Sequence, residues 1–319
     1  MKAVVCTKYG PPEVLQLREV AKPSPKRNEV CIKIHATAVT ASDVYIRGSQ
    51  LPLRVWLPMR LFLGFAKPRK SVIGMVLAGE VESVGNDVKR FKAGDQVYGV
   101  TGFGLGAYAQ YTCMKETDSM YGCLSLKPEN ISYEEATAAA YGGLLALQRI
   151  EESPIECGQR ILVYGASGTS GTMAVQLAKY YGAEVTAVCG TRNLEFVQSL
   201  GADRVIDYTR DDTAHLADRY DMMFDMAGKA KSSKVKERCK QSLRPAGRYI
   251  SIDDGKLDLN SARLARIKAL IEAGAVRPVV DVIYPLERIV EAHAYVETGR
   301  KRGGVAVSVP HSDSPPDFT

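Results

Sequence analysis

The chain has 319 residues, of which 45% are hydrophobic and 24% charged, and its formal net charge is +6. This length is typical of about two domains, and the dispersed positive charge lacks the concentrated basic stripe of a nucleic-acid-binding protein. The sequence contains no apolar run long enough to span a membrane, and its N-terminal residues become polar too soon for a signal peptide.

The first part of the chain, residues 1–126, is rich in short strand-like runs. Examples are EVCIKIHATAV and VIGMVLAGEVESVG, and glycines and prolines separate such runs. This pattern predicts a mainly β structure. Ser132 and Glu135 then form the S-x-x-E pattern of a capping box, which predicts that a helix begins there.

A glycine-rich stretch, YGASGTSG, lies inside a strand, turn, helix and strand pattern over residues 159–191. In a dinucleotide-binding βαβ unit, the first glycine makes a tight turn and the second lets the backbone approach a pyrophosphate. The third lets the helix pack closely on the strand. Here the three places hold Ala166, Gly168 and Gly171. The surrounding pattern favours dinucleotide binding over a purely structural turn.

The helix after this loop is predicted to begin near Ser170. Its free N–H groups would face an anion held in the loop. The hydroxyl groups of Ser167, Thr169 and Ser170 add further hydrogen-bond donors. We therefore expect residues 166–171 to bind the pyrophosphate of the cofactor.

The end of the second strand indicates which cofactor is used. NAD-binding units usually carry an Asp or Glu there, which binds the 2′-hydroxyl of the ribose. This sequence has Gly190, Thr191 and Arg192 instead. That set leaves room for a 2′-phosphate and supplies a cation, so NADPH is the predicted cofactor. The alternative for Arg192 is a solvated residue at a helix start.

Strands and helices continue to alternate up to about residue 275, through the runs EVTAV, RVID, DMMFDMAG and RYISI. Such alternation predicts a doubly wound parallel sheet with helices on both faces, an α/β fold. The run SARLARIKALIEAG places Leu264, Ile267 and Ile271 on one helical stripe and ends at Gly274. The later run GVAVSV is expected to return to the β-rich part. The predicted domains are therefore residues 1–126 with 276–319, and residues 127–275.

Several segments, in this order, resemble the medium-chain dehydrogenase/reductase superfamily, and within it the zinc-independent quinone oxidoreductase branch. They are MKAVVCTKYGPPEVL, VTASDVYIRG, GEVESVGNDVKRFKAGDQVYG, GAYAQY, the glycine loop, LGADRVIDY and LRPAGRYIS. The resemblance covers nearly the whole chain. It implies a β-rich, GroES-like catalytic domain formed by both termini and a Rossmann-type domain between them. A cleft would bring the nicotinamide and the substrate together.

The resemblance also implies a site without a metal. Zinc-dependent relatives have a Cys where this chain has Thr40, and a His-Glu pair where it has Met75 and Val76. Neither Thr40 nor Met75 is a plausible zinc ligand. The four-cysteine lobe that binds structural zinc in relatives is also missing.

Two residues of the segment VTASDVYIRG are candidates for the catalytic site. The branch has a tyrosine near the substrate at the position of Tyr45, whose hydroxyl group could bind a carbonyl oxygen. The alternative is that Tyr45 only forms part of a wall. Thr40 matches a place where many relatives have Asn. Asp43 is interpreted as a structural carboxylate, and Tyr208 matches a position near the 2′-phosphate.

The chain departs from these relatives in three ways. Leu145 stands where relatives often have a Thr close to the nicotinamide, and Gly304 stands where they often have Lys or Asn in the last strand. Only a short segment separates the strand RYISI from the next helix, where many relatives have an extra strand that pairs across a dimer. A homodimer is therefore left open.

The run LPLRVWLPMRLFLGFAKPRK, residues 51–70, combines bulky apolar residues with positive charge. It is too short and too charged to cross a bilayer. Three interpretations stay open: a lid over the substrate cleft, a protein interface, and contact with a membrane surface. The lid is favoured, because the flanking segments border the site in relatives.

Together these features predict an NADPH-dependent, zinc-independent oxidoreductase that transfers hydride to a quinone, an enone or another conjugated carbonyl. Two alternatives remain. One is a dinucleotide-binding structural or regulatory protein with little turnover, and the other is an alcohol dehydrogenase-like enzyme. The expected partner is a small-molecule substrate and not a nucleic acid. Seven cysteines without a C-x-x-C pair indicate reduced thiols. With no signal peptide or membrane span predicted, the cytoplasm is the expected location.

Overall fold

The structure, a computed structural model, describes residues 1–48, 57, 60, 61, 63–65, 67–210, 216, 219–231 and 233–311. The first elements along the chain are β1 (Lys2–Cys6), β2 (Leu15–Glu19), β3 (Glu29–Ala38), α1 (Ala41–Gly48), β4 (Val76–Val84), β5 (Gln96–Val100), β6 (Tyr111–Lys115) and β7 (Cys123–Leu126). They precede a helical connection made of α2 (Tyr133–Ala138), a π-helical turn (Ala139–Gly143) and α3 (Leu144–Glu152).

The remaining elements begin with a strand and helix alternation. They are β8 (Arg160–Tyr164), α4 (Thr169–Tyr180), β9 (Glu184–Cys189), α5 (Leu194–Ser199), β10 (Arg204–Asp207), β11 (Tyr220–Asp225), α6 (Lys234–Gln241), β12 (Leu243–Ser251) and α7 (Ser261–Glu272). The last elements that the structure describes are β13 (Val280–Pro285), α8 (Ile289–Glu297) and β14 (Gly304–Ser308).

A mixed sheet joins the two ends of the chain. Its strand order is β13-β14-β3-β4-β5-β7, and β6 also pairs with β3. The predicted return of the C-terminal run is confirmed, because β14 pairs antiparallel with β3 and places Val307 opposite Thr37. Alternate residues of these strands, such as Ile32, Ile34 and Leu77, are fully buried in the core.

The second sheet is parallel, with the strand order β10-β9-β8-β11-β12. This is the doubly wound order in which the chain starts near the middle, moves to one edge and then crosses to the other side. The predicted Rossmann-type fold is confirmed. In such sheets a ligand binds at the carboxyl ends of the strands, where the strand order reverses. Here that point lies between β8 and β11.

Local signals in the sequence set the helix ends. Ser132 accepts a hydrogen bond from the Glu135 amide, and the Glu135 side chain accepts one from the Ser132 amide, so the predicted capping box is confirmed. In α7, the predicted stripe of Leu264, Ile267 and Ile271 is buried. The residue that caps α7 is Asn260, whose side chain accepts hydrogen bonds from two backbone N–H groups.

The π-helical turn brings the helical connection against the nucleotide-binding helix α4. A Cβ atom on Gly142 would lie 2.6 Å from the Thr169 carbonyl oxygen, so only glycine allows this approach. Single π-helical turns inside helices occur frequently at functional sites. This turn also carries Tyr141, which faces α1 of the mixed-sheet part through a hydrogen bond to Ser42.

Candidate functional site

The glycine loop connects β8 to α4 at the carboxyl edge of the parallel sheet. Its tight turn is at Gly165, which has a φ of +77°, and not at Ala166, where the sequence analysis placed it. The left-handed backbone favours glycine, and this explains the shift by one residue. A Cβ on Gly171 would lie 2.1 Å from the Gly165 oxygen, so the third glycine allows close packing of helix and strand.

The second glycine of the loop, Gly168, forms an isolated parallel bridge with Gly303 and is less tightly enclosed than Gly171. A Cβ on Gly168 would meet only the Gly165 oxygen, at 3.5 Å, which is ordinary contact. Gly168 caps α4, and the first N–H groups of a helix lack partners within the helix. Those of Thr169, Ser170 and Gly171 therefore form the helix end that is suited to an anion.

A lysine that the sequence analysis missed lies beside this helix end. The Lys301 ammonium group donates hydrogen bonds to the Thr169 hydroxyl (2.6 Å) and to the Gly303 carbonyl (2.7 Å). The Thr169 hydroxyl in turn donates to Gly303, and the Gly303 amide donates to the Ser167 carbonyl. Burial and the nearby Lys231 lower the pKa of Lys301 to about 8. A positive charge thus stands next to the anion-facing end of α4.

At the end of β9, the predicted 2′-phosphate residues lie on one short loop. A Cβ on Gly190 would lie 3.4 Å from the Tyr208 hydroxyl, so Tyr208 covers this glycine. Arg192 is exposed, and its carbonyl accepts a hydrogen bond from Arg302 (2.6 Å). Arg302 also binds the Asn193 side chain, so a second guanidinium group holds the loop.

An acidic residue, Asp207, ends the neighbouring strand β10 opposite Cys189. Its carboxylate accepts hydrogen bonds from the hydroxyl groups of Thr191 (2.6 Å) and Thr209 (2.7 Å). Burial raises the pKa of Asp207, but these hydrogen bonds outweigh the effect and hold the pKa below its usual value. Asp207 therefore helps to fix the conformation of the loop, and the Thr191 hydroxyl donates its hydrogen bond to Asp207.

These features fit a dinucleotide. The N-terminus of α4, the room for a Cβ atom at Gly168 and the Lys301 ammonium group suit a pyrophosphate. The exposed Arg192 suits a 2′-phosphate, because a guanidinium group can bind phosphate through two hydrogen bonds.

The other side of the site is built on α1. The Thr40 hydroxyl donates a hydrogen bond to the Asp43 carboxylate (2.6 Å) and accepts one from the Asp43 amide (3.2 Å). This is a capping arrangement that fixes the start of α1. The proton of Thr40 is thus engaged within the protein. Tyr45 lies further along the same helix, with 40% of its side chain exposed.

A buried polar cluster supports α1 from behind. Asp43 is fully buried beside Tyr108, and the Tyr108 hydroxyl lies 3.1 Å from Nε2 of His293. Nδ1 of His293 accepts a hydrogen bond from buried Arg47, which also pairs with Glu297. Burial raises the pKa of Asp43 to about 6, although hydrogen bonds from Thr40 oppose the rise. Asp43 is therefore structural support, as predicted from the sequence.

The residues that replace zinc ligands do not fit zinc. Met75 and Val76 are buried apolar side chains, and the Thr40 hydroxyl is engaged with Asp43. In the part of the chain that the structure describes, no three His, Cys, Asp or Glu side chains lie together in a way that could hold a metal ion.

Gly304 and Leu145, the two residues that differ from the family pattern, have different surroundings. A Cβ on Gly304 would lie 2.9 Å from the Ala138 Cβ, so close packing of β14 on α2 explains the glycine. Leu145 is a buried apolar residue at the start of α3.

Of the segment 51–70, Trp56 and Phe62 lie outside the described residues. Leu57, Leu61 and Phe65 are exposed, while Leu63 is buried. We find no helix, within the described ranges, with the length and apolar character that a membrane span requires.

Three family profiles match the chain. The profile described as "Alcohol dehydrogenase GroES-like domain" matches residues 26–124. That described as "Zinc-binding dehydrogenase" matches residues 171–276, and a second profile of that description matches residues 255–307. Fold and site therefore define the class: a Rossmann-type dehydrogenase fold joined to a GroES-like β structure.

Individual relatives indicate to which branch of these dehydrogenases the chain belongs. The chain is 34% identical, over 327 residues, to a 2-methylene-furan-3-one reductase of Solanum lycopersicum, which covers 96% of this chain and 79% of the relative. An NADPH-dependent alkenal/one oxidoreductase of Arabidopsis thaliana, described as chloroplastic, gives the same identity and coverage. The quinone oxidoreductase structure from Coxiella burnetii superposes with a TM-score of 0.80 at 27% identity, over 97% of this chain and 99% of that one. The chain belongs to the quinone oxidoreductase branch of the medium-chain dehydrogenase/reductase superfamily.

Proposed function

We propose that the protein is an NADPH-dependent reductase of quinones, enones and related conjugated carbonyl compounds. The observation that carries the proposal is the start of α4, where Gly168 leaves room for a Cβ atom and the Lys301 ammonium group lies beside Thr169. The printed names of the relatives, an alkenal/one oxidoreductase and quinone oxidoreductases among them, support the same reaction class.

Different residues of the chain bind the pyrophosphate and the 2′-phosphate of NADPH. The N-terminus of α4 and Lys301 hold the pyrophosphate, while Gly190, Arg192 and Tyr208 surround the 2′-phosphate. When bound, the dihydronicotinamide supplies a hydride. Tyr45 donates a hydrogen bond to the carbonyl oxygen, where negative charge develops during the reaction. Thr40 fixes the start of α1 through Asp43 and so positions Tyr45.

We extend the proposal to the organisation of the protein. The catalytic domain comprises residues 1–126 and 276–319, the nucleotide-binding domain comprises residues 127–275, and catalysis needs no zinc. Residues 51–70 act as a lid, and β12, the last strand in the order of the parallel sheet among the described residues, is the surface through which a homodimer would form. All seven cysteines are free thiols, which suits a reducing compartment and supports a cytoplasmic location.

Steady-state assays test the reaction class. We expect NADPH oxidation with benzoquinones and 2-alkenals, unchanged by a metal chelator, and little oxidation of simple alcohols by NADP⁺. Tight NADPH binding without turnover of any acceptor would favour the structural or regulatory alternative. Loss of activity on chelation, with stoichiometric zinc in the untreated protein, would favour the alcohol dehydrogenase-like alternative.

Replacing Arg192 with alanine is expected to weaken NADPH binding about tenfold to a hundredfold and to leave NADH binding unchanged. One charged hydrogen-bonding pair with the 2′-phosphate contributes about 1.5–3 kcal/mol. Titration of both cofactors, followed by nicotinamide fluorescence, measures the effect. Arg27→Ala is the matched control, because this exposed guanidinium group pairs with Asp87 away from the site. An equal loss for both cofactors would contradict the assignment.

A further inference from the structure

Tyr141 connects the two sides of the site. It lies in the π-helical turn, and the next residue, Gly142, packs against the first residue of α4. Its hydroxyl group lies 2.6 Å from the Ser42 hydroxyl on α1. The residue is half-buried, and its hydroxyl group links the turn that packs on α4 to the first turn of α1.

We propose that Tyr141 is the proton donor to the α carbon of an α,β-unsaturated carbonyl substrate. The proposal rests on the proposed reductase function and assigns a second catalytic role beside that of Tyr45. It also makes Tyr141 a determinant of substrate class, because enones need this proton at carbon and quinones do not.

The neighbouring groups suit Tyr141 to this role better than the alternatives. The Thr40 proton is engaged by Asp43, and Asp43 itself is fully buried. Burial, together with the charges of Asp43 and Asp253, raises the pKa of Tyr141 to about 12, although the hydrogen bond with Ser42 opposes the rise. The phenol therefore keeps its proton at neutral pH, and Ser42 fixes its direction.

The proposed reaction consumes one NADPH and one proton for each enone. Hydride forms a C–H bond at the β carbon, the C=C bond shifts, and the carbonyl oxygen becomes an enolate oxygen. The Tyr141 O–H bond then breaks as its proton forms a C–H bond at the α carbon. The resulting tyrosinate regains a proton from solvent through the Ser42 hydroxyl. The products are the saturated carbonyl compound and NADP⁺.

Reduction of a quinone does not require a proton transfer to carbon. Hydride addition converts it to a hydroquinone monoanion, in which the negative charge rests on oxygen. Oxygen exchanges protons rapidly with water, so no positioned carbon acid is needed. Tyr45, which contacts the carbonyl oxygen, serves both classes of acceptor, whereas Tyr141 serves the enones.

The test compares Tyr141→Phe with the wild type, using 2-methylcyclohex-2-enone and a benzoquinone as acceptors. We expect kcat for the enone to fall about a hundredfold, a usual contribution of a positioned proton donor, while quinone reduction stays near the wild-type rate. The wild type sets one configuration at the α carbon. The variant takes this proton from water and gives a mixture. The NADPH Kd and the melting temperature are expected to stay unchanged.

Two further variants separate this role from others. Tyr98→Phe removes a buried phenol that binds the Leu264 carbonyl in the core, and it should behave as the wild type in both reactions. Tyr45→Phe should slow both acceptors and keep the product configuration. If Tyr141→Phe keeps the enone rate and a single configuration, or slows both acceptors equally without a mixture, Tyr141 is not the donor. Wild-type protein that binds NADPH but reduces neither acceptor would instead contradict the proposed function itself.

Discussion

Replacing Lys236 with methionine is expected to lower the free energy of unfolding by about 3–5 kcal/mol, because it leaves a buried carboxylate without its cation. Nζ of Lys236 lies 2.5 Å from the Asp225 carboxylate, and the two side chains are only 1% and 0% exposed. The same ammonium group donates hydrogen bonds to the carbonyls of Gly228 (2.7 Å) and Lys231 (3.0 Å). Its three protons therefore have three acceptors.

The position of this pair explains why its loss should also affect cofactor binding. Asp225 ends β11 at the carboxyl edge of the sheet. Lys236 holds the loop after β11 in place through its hydrogen bonds to the Gly228 and Lys231 carbonyls. Ala227 of that loop packs against Gly165, since a Cβ on Gly165 would lie 3.0 Å from it. A loosened loop would disturb the tight turn that begins the cofactor site.

Chemical denaturation followed by circular dichroism measures the change. Lys240→Met is the matched control, because Lys240 lies on the same helix, is partly exposed, forms an ion pair with Glu237 and lies over the Tyr249 ring. An exposed pair of this kind contributes less than about 1 kcal/mol. The double variant Lys236→Met with Asp225→Asn should recover part of the loss, because no unpaired charge remains. A loss as small as that of Lys240→Met would contradict the buried-pair argument.

The order of strands and helices was predictable because each element carries its own local signal. The capping box at Ser132, the apolar stripe of α7 and the valine-rich strands reflect helix and strand periodicity. The resemblance to a known family then indicated how the C-terminal run returns to the first sheet. The position of the tight turn was wrong by one residue. Backbone conformation distinguishes Gly165 from Ala166, whereas the spacing of glycines does not.

Residues that reach the site from distant parts of the chain were not predictable in the same way. Lys301 and Arg302 stand in a short loop before β14, and no motif marks them. They meet the glycine loop and the Arg192 loop only because β14 returns to the mixed sheet. Tyr141 was likewise not predictable from the sequence, because its proposed role depends on a π-helical turn that places its hydroxyl group against Ser42.

Binding of the cofactor pyrophosphate by residues 166–171 remains a prediction. Thr169 was expected to donate to the pyrophosphate, yet its hydroxyl proton is directed at the Gly303 carbonyl. We therefore expect the backbone N–H groups and Lys301 to provide the donors. NADPH affinity should then depend more on the conformation of the loop backbone than on the loop hydroxyl groups. Gly168 and Gly171 shape this backbone, so substitutions at these two glycines test the expectation.

Replacing Gly171 with alanine is expected to weaken NADPH binding by more than about a hundredfold, the effect of misplacing binding groups by about 1 Å. The new Cβ would lie 2.1 Å from the Gly165 carbonyl oxygen and 2.9 Å from the Ala166 Cα. Both neighbours are backbone atoms of the loop, so a side-chain rotation cannot relieve the contact. The start of α4 must move away from β8, and the N–H groups that face the pyrophosphate move with it.

Gly168→Ala provides the contrast that identifies the cause. At Gly168 the backbone φ is −79°, a value that any residue adopts, and the new Cβ would meet only the Gly165 oxygen at 3.5 Å. This variant should keep the stability of the wild type and lose NADPH affinity, because its methyl group enters the pyrophosphate space. Gly171→Ala should lose affinity and also about 1–3 kcal/mol of stability through overpacking. Nicotinamide fluorescence and denaturant titration of both variants measure the two quantities. If Gly168→Ala binds NADPH like the wild type, the pyrophosphate does not lie at this loop.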